Sequence, residues 1–169
     1  LLKAAIRSED PVVFLENELL YGRSFELPEL DDHVLPIGKA RIMREGSDVT
    51  IVSWSSQTLR CQAALAELTE AGISAELIDL RTVSPWDKEA VLASAAKTGR
   101  VLVAHEAVKN FGPGAEIAAT INEELFGQLK APVKRLGAPQ CAVPFAKVLE
   151  DAFIVQPADV VAAVKGLIA

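Results

Sequence analysis

The stretch "VLVAHEAVKNFGPGAEIAATI", residues 101–121, reads as a strand, a glycine turn and a helix. An apolar run at 101–104 is followed by His105 and Glu106, and Gly112-Pro113-Gly114 opens a segment with apolar residues at helical spacing. The order of strand, turn and helix is the repeating unit of an α/β domain with a parallel sheet. The glycine turn has three interpretations: a phosphate-binding loop, a catalytic loop or a structural corner.

The same alternation continues on both sides of this stretch. Apolar or β-branched runs predict strands at 12–15, 49–52, 75–78, 101–103 and 133–136. Helical patterns lie at 57–71 before Gly72, from Ser84-Pro85-Trp86-Asp87 to about Lys97 before Gly99, after Gly114, and from Pro157 onward. The second pattern is expected to begin with Ser84 as the cap and Pro85 in the first helical position. In the last of these patterns, Val160, Val161, Val164 and Leu167 are expected to face the core. We predict an α/β fold, a three-layer αβα sandwich with a mostly parallel sheet covered on both faces.

Residues 21–40 interrupt this rhythm with two prolines and several acidic side chains, which is typical of an ordered linker. We therefore expect residues 1–35 to be the tail of an upstream domain plus a linker, and residues 36–169 to form the sandwich. The strand at 12–16 and the helix before it are expected to belong to another sheet, whose other strands precede residue 1. The chain begins Leu1-Leu2-Lys3, and we expect it to be part of a longer protein.

Composition excludes some classes of partner. The chain has 169 residues, 50% of them hydrophobic, and a formal charge of −6. Its Lys and Arg residues are scattered, so it lacks the basic patch that nucleic acid or an anionic membrane would require. No apolar segment approaches the ~18 residues of a membrane span. We expect a soluble, intracellular protein with Cys61 and Cys141 as free thiols, because neither belongs to a Cys-x-x-Cys pair.

The glycine turn matches a dinucleotide-binding fingerprint poorly. Ile117 stands where a third glycine is needed, and the strand at 133–136 offers no acidic residue at its end. Glu116 lies in the first helical turn, where it would repel a phosphate. The alternative is that Gly112 and Gly114 turn the chain tightly and let the helix lie close to the sheet.

The remaining candidates lie where predicted strands end. His105 and Glu106 are at the carboxyl end of a strand, the position at which doubly wound folds carry their chemistry. A lone histidine at a strand end is, however, more often a hydrogen-bonded structural or interface residue. The serines in 53–57 fit either an anion-binding nest or helix caps. Trp54 and Trp86 are interpreted as core or interface anchors, with the interface role slightly favoured because large aromatic side chains at the ends of elements pack well against a second chain.

Seven segments together resemble one protein family. They are "PVVFLENELLYG" (11–22), "LPIGKARIMREGSDVTIVSW" (35–54), "AELIDLRTVSPWD" (75–87), "KTGRVLVAHEA" (97–107), "FGPGAEIAATI" (111–121), "LKAPVKRLGAP" (129–139) and "VPFAKVLEDAF" (143–153). In this order they resemble the beta subunit of the first component of 2-oxo acid dehydrogenase complexes. The resemblance implies that residues 36–169 adopt the fold of the transketolase C-terminal domain.

The resemblance further implies a heterotetramer that contains an alpha subunit and a second beta subunit. Thiamine diphosphate and Mg would be bound in that heterotetramer, and the peripheral subunit-binding domain of the acyltransferase would dock on it. No residue of this chain receives a catalytic, cofactor-binding or metal-binding role, although His105 and Glu106 could support the site. The chain alone is expected to be inactive. The interface candidates are Trp54, Trp86, Gly112, Gly114, Glu150, Asp151 and Ala169.

The sequence segments constrain the identity of the substrate less than they constrain the family. "FLENELLYG" resembles pyruvate dehydrogenase beta subunits, whereas "SPWD", "KTGR" and "HEA" also occur in branched-chain 2-oxo acid dehydrogenases. Pyruvate is the first expectation. The alternatives are a branched-chain or acetoin dehydrogenase beta subunit and a standalone assembly or nucleotide-binding module. The expected location is the bacterial cytoplasm, or the mitochondrial matrix in a eukaryote.

Overall fold

A computed structural model describes residues 1–26 and 32–169. The strands are β1 (Arg41–Arg44), β2 (Val49–Ser53), β3 (Ala75–Asp79), β4 (Val101–Val108) and β5 (Lys134–Ala138). The helices are α1 (Leu2–Arg7), α2 (Ser56–Glu70), α3 (Lys88–Thr98), α4 (Pro113–Glu124), α5 (Lys147–Phe153) and α6 (Pro157–Ile168). A short 3-10 turn spans Glu18–Leu20.

The described strands form one sheet in the order β1-β3-β2-β4-β5. β2 pairs in parallel with both β3 and β4, and β5 pairs in parallel with β4. Only β1 is antiparallel, at the edge next to β3. The predicted α/β fold with a mostly parallel sheet is confirmed.

Both faces of the sheet are buried. On one face, α2 and α6 pack through Leu68, Val160 and Val164 against strand residues such as Leu77. On the other face, α3 and α4 pack through side chains that include Val91, Ile117 and Ile121 against Val52, Ile78 and Val103. Fully burying one such side chain stabilises the fold by about 1.5–3 kcal/mol. These two layers explain why the central strands read as continuous apolar runs.

Two of the predicted helix ends are confirmed. α2 ends at Glu70 ahead of Gly72, and α3 ends at Thr98 ahead of Gly99. Both glycines have left-handed backbone angles, with φ of 75° and 71°. Glycine adopts this conformation without the steric cost that a side chain would add.

The predicted start of α3 is wrong by one turn. Ser84 was expected to cap the helix and Pro85 to open it, but the helix begins at Lys88 and Asp87 is its N-cap. The Asp87 carboxylate accepts hydrogen bonds from the Ala90 amide at 3.3 Å and from the Ala40 amide at 3.0 Å. Because Asp87 satisfies both a helix amide and the chain that enters β1, the cap lies three residues later than predicted.

The strand predicted at residues 12–15 has no partner strand within the described chain. Residues 12–15 are extended but form no strand in the described chain, where Val13 and Leu15 are 86% and 88% exposed. Extended backbone becomes a strand only beside a partner, and these residues lie outside the sheet. The sequence also failed to predict β1 and α5. Residues 27–31 of the predicted linker lie outside the described residues.

None of the helices in residues 1–26 and 32–169 is long and apolar enough to cross a membrane.

Candidate functional site

The candidate residues lie at the carboxyl edge of the parallel strands. β2 and β4 are neighbours, but α2 and α4, which follow them, cover opposite faces of the sheet. Ligands of doubly wound proteins bind at such a switch point, because the two chain connections part there and leave a crevice. Trp54 follows β2, and His105 and Glu106 lie in β4, so the structure brings the predicted residues to this edge.

The imidazole ring of His105 is fully buried at this edge. Its Nδ1 atom lies 3.0 Å from the Ala107 carbonyl oxygen, which only accepts hydrogen bonds, so Nδ1 donates. The Trp54 ring is stacked on the imidazole, with centroids 5.2 Å apart and planes inclined at 25°. The ring is therefore held by packing and by one hydrogen bond to backbone.

Three glycines make room for the His105 ring. A Cβ atom on Gly114 would lie 2.5 Å from the ring, and one on Gly112 would lie 2.8 Å from it. Gly137, in β5, is slightly farther away, since its Cβ atom would lie 3.0 Å from the His105 Cε1 atom. We call these three glycines and Trp54 the His105 cage. The sequence identified Gly112 and Gly114, but Gly137 carried no signal because it is distant along the chain.

The cage keeps His105 neutral. Burial lowers the pKa of His105 below its usual value of 6.5, and the nearby positive charge of Arg135 lowers it further, while the hydrogen bond to Ala107 acts in the opposite direction. The Nε2 atom is buried with no hydrogen-bond partner among the described residues. A ring enclosed in this way cannot contact a substrate, so its geometry fits a structural role rather than direct acid–base catalysis.

Glu106 faces the opposite way from His105 and joins two parts of the chain. One carboxylate oxygen accepts a hydrogen bond from the Asn17 side chain at 3.2 Å. The other lies 3.3 Å from Arg60 of α2, whose guanidinium also donates to the Ser56 hydroxyl at 3.1 Å. A carboxylate with both oxygens engaged and a cationic partner is a structural tie rather than a free base. Neither Asn17 nor Arg60 was singled out from the sequence.

The glycine turn before α4 does not fit a diphosphate. The helix has Gly112 as its N-cap and Glu116 in its first turn, and the His105 ring fills the space that the glycines leave. An approaching anion would meet the Glu116 charge. In the described part of the chain, no group of three or more His, Cys, Asp or Glu side chains could hold a metal ion. These residues therefore do not fit thiamine diphosphate with Mg.

The interpretation of the serines in 53–57 as helix caps is wrong for α2. Ser55 is the N-cap residue but makes no side-chain cap hydrogen bond, and its backbone has φ 56° and ψ −146°. The Ser56 hydroxyl accepts from Arg60 instead. Ser53 and Gln57 are buried, each with one side-chain oxygen that has no partner in the described residues. The anion-nest interpretation stays a prediction.

Trp54 and Trp86 lie on the same face of the sheet. Both are partly buried and pack against the apolar core on the α3 and α4 face. Their role as core anchors is therefore visible in the fold, whereas their role at an interface stays a prediction.

The two cysteines are free thiols, and burial raises the pKa of Cys61 to about 11.

The three other interface candidates lie near the carboxyl terminus. Glu150 is half-buried in α5, and Asp151, the next residue, is exposed and paired with Lys147 one turn earlier. Ala169 is exposed and follows the last residue of α6. No contact joins this group to the His105 cage among the interactions of the described residues.

Known proteins resemble the chain along nearly all of its length. The family described as "Transketolase, C-terminal domain" matches residues 38–160. "Pyruvate dehydrogenase E1 component subunit beta" of Rhizobium meliloti is 47% identical over 99% of this chain and 36% of its own length. "2-oxoisovalerate dehydrogenase subunit beta, mitochondrial" of Dictyostelium discoideum is 49% identical over 80% of this chain and 37% of its own length.

A solved structure of a transketolase agrees with the family match. A split-gene transketolase, described as an inactive beta4 tetramer, matches 84% of this chain and 46% of its own with a TM-score of 0.68 and 29% identity. The chain thus spans less than half the length of each of these relatives.

The His105 cage predicts a strong coupling between a glycine and the ring. Gly114→Ala is expected to destabilise the fold by about 2–3 kcal/mol, because the added methyl overlaps the imidazole. In a His105→Ala background the same change should cost at least about 1 kcal/mol less, because the ring has been removed. Urea unfolding of the two single variants and the double variant measures this coupling.

Gly166→Ala in α6 is the matched control, since a Cβ atom there meets nothing within 4 Å. It should be neutral or stabilise the fold by up to about 1 kcal/mol. Additive effects of Gly114→Ala and His105→Ala would show that the glycine does not accommodate the ring.

The neutral His105 also predicts a pH dependence. Because the folded-state pKa of His105 is below its unfolded value near 6.5, the contribution of this ring to stability is complete above that pH and decreases below it. The difference in unfolding free energy between the unmodified chain and His105→Gln should therefore shrink between about pH 6.5 and about pH 5, by at most about 1.4 kcal/mol per pH unit. Urea unfolding across this range gives the result, and a constant difference would mean that burial leaves the imidazole pKa unchanged.

Proposed function

Because the chain belongs to the transketolase C-terminal domain family and is homologous to beta subunits of 2-oxo acid dehydrogenases, we propose that it serves as an assembly part of such an enzyme. The enzyme would be a heterotetramer that decarboxylates a 2-oxo acid with thiamine diphosphate and Mg and passes the acyl group to an acyltransferase. The partners would be an alpha subunit, a second beta subunit and the peripheral subunit-binding domain of the acyltransferase.

The observation that carries the proposal is the extent of the similarity. Identity of 47% over 99% of the chain includes the amino-terminal segment as well as the sandwich. Glu106 and Asn17 tie these two parts together at 3.2 Å, so the similarity covers a connected piece of structure. Homologous chains at this identity keep the same fold, but function depends on particular sites.

An assembly role agrees with the chemistry of the carboxyl edge. The histidine at the switch point is enclosed by glycines, and the adjacent carboxylate is occupied by Arg60 and Asn17. Thiamine diphosphate and Mg would therefore be held by other parts of the heterotetramer, and the chain alone would be inactive. His105 and Glu106 would act by keeping this edge of the sheet in shape.

Pyruvate is the substrate that we propose. Pyruvate dehydrogenase beta subunits match 98% or 99% of this chain, whereas 2-oxoisovalerate dehydrogenase beta subunits match 80% to 85% of it. The branched-chain enzyme is the alternative, because its identity over the shared part is 49% or 50%. The native protein would function in the bacterial cytoplasm or the mitochondrial matrix.

Docking of the acyltransferase would use particular acidic groups near the carboxyl terminus. The chain has a formal charge of −6, and an acidic surface speeds encounter with a basic docking domain. Glu150, Asp151 and the carboxylate of Ala169 are the proposed contacts. Trp54, Trp86, Gly112 and Gly114 would support contacts between subunits.

The test of the proposed activity is a decarboxylation assay on the native assembly, isolated from its source cells with an antibody to this chain. With thiamine diphosphate and Mg present, CO₂ release from pyruvate should exceed release from 3-methyl-2-oxobutanoate. Preference for the branched substrate would identify the alternative enzyme. No decarboxylation, together with thermal stabilisation of the chain by NAD, FAD or ATP, would identify a nucleotide-binding module, because a ligand that binds only the folded state raises its stability.

The docking proposal predicts a charge effect. Asp151→Lys should weaken binding of the peripheral subunit-binding domain and reduce the dependence of the affinity on salt, because it removes an attractive charge from the surface. Calorimetric titration measures both quantities. Glu123→Lys in α4 changes the net charge equally at an exposed, distant position and serves as the control. Equal affinities for the two variants would rule out a contact at Asp151.

A further inference from the structure

A cleft beside β5 contains charged and apolar side chains together. It has a volume of about 430 Å³ and is lined by residues of β5, the end of α5, α6 and the segments beside them. Four of the lining residues are small and leave this space open, namely Gly137, Ala152, Ala162 and Ala163. Small-molecule sites have volumes of roughly 300–1,000 Å³, so a ligand of this cleft is small. We call it the β5 cleft.

Two opposite charges line the β5 cleft, and neither is neutralised by the other. Lys134 is the first residue of β5, and Asp159 lies in the first turn of α6. In the described chain, neither side chain forms an ion pair with any residue. One Asp159 oxygen accepts a hydrogen bond from the Gln156 amide at 2.8 Å, which leaves the other oxygen for a second donor. The cleft therefore offers one cationic and one anionic contact to a ligand.

The remainder of the lining is mainly apolar. Leu136, Phe153, Ile154 and Val155 supply most of it. Leu136 and Val155 also pack with the core on the face of the sheet that α2 and α6 cover, so this wall is held by the fold. An aliphatic group that enters the cleft loses contact with water against these side chains, which favours binding.

This combination of groups selects among classes of ligand. A phosphate or a nucleotide would be repelled by Asp159, and a metal ion would be repelled by Lys134. A wholly apolar ligand would remove water from both charges without replacing its hydrogen bonds. A small molecule with a carboxylate, an ammonium group and an apolar side chain satisfies all three parts of the lining.

We propose that the β5 cleft binds a free α-amino acid with an apolar side chain, such as leucine. The ligand carboxylate pairs with Lys134, and the ligand ammonium donates to the available oxygen of Asp159. The ligand side chain lies against Phe153 and Ile154. The inference does not rest on the proposed function, because it involves neither an alpha subunit nor a catalytic group.

The β5 cleft adjoins the His105 cage through a shared residue. Gly137 lines the cleft and also leaves room for the His105 ring. A ligand that binds only the folded state raises its stability, so an amino acid in the cleft holds β5 in place beside the imidazole. Lys134 and Asp159 are both exposed, and exposed ion pairs contribute little, so we expect a dissociation constant on the order of 1 mM.

Calorimetric titration of the full chain with L-leucine measures this constant, and thermal unfolding with and without leucine gives a second readout. Leucine well above its dissociation constant should raise the midpoint of unfolding by a few degrees. Two analogues separate the ionic contacts, because 4-methyl-2-oxopentanoate lacks the ammonium group and 3-methylbutylamine lacks the carboxylate. Each analogue should bind at least about threefold more weakly than leucine.

Substitutions in the chain test the same contacts. Lys134→Met and Asp159→Asn should each weaken leucine binding by about threefold to fivefold. Asparagine keeps a side-chain oxygen that can accept the amide hydrogen bond at the start of α6, so the second variant retains this helix cap. Lys109→Met and Glu123→Gln are the matched controls, because they make the same charge changes at exposed positions outside the cleft lining. The controls should bind leucine as the unmodified chain does.

Three results would overturn the proposal. Neither heat of binding nor a rise in the unfolding midpoint at the solubility limit of leucine would show that the cleft takes no such amino acid. Equal affinities for leucine and 4-methyl-2-oxopentanoate would exclude the contact between the ammonium group and Asp159. Equal affinities of Lys134→Met, Asp159→Asn and the two controls for leucine would show that leucine binds elsewhere on the chain.

Discussion

The enclosed imidazole of His105 determines how the carboxyl edge of the sheet is built. One ring contacts the glycine turn before α4, the glycine of β5 and the tryptophan after β2. Because the ring occupies the place where three connections meet, each connection must approach closely, and the glycines allow that approach. The central strands, buried on both faces, supply the rigid frame on which this packing depends.

This constraint also determines what the edge can do. Doubly wound folds usually bind ligands at the switch point, yet here the space is filled by the protein's own histidine and the nearby carboxylate is neutralised by Arg60. The arrangement of His105 and Glu106 therefore supports the proposed assembly role rather than direct catalysis by these two side chains.

Much of this fold could be predicted from sequence, because buried parallel strands and glycine-terminated helices leave local signals. β1 lacked such a signal, since an edge strand with two arginines is not apolar on both faces. α5 was missed because a short helix with no buried residue shows no amphipathic pattern relative to the core. The start of α3 was misplaced because Asp87 and Ser84 are both good caps, and only the bond from Ala40 favours Asp87.

The candidate site could be predicted only in part. The position of His105, Glu106 and the glycines followed from strand order, but the closed cage required Gly137 from another strand, and the tie through Asn17 and Arg60 required contacts far apart in sequence.

The central claim is that the chain belongs to a larger assembly. Native mass spectrometry of the particle that contains the chain in an extract of its source cells tests this claim most directly. The account predicts two copies of this polypeptide with two copies of a different subunit. A particle that contains only one copy of this polypeptide and nothing else would contradict it.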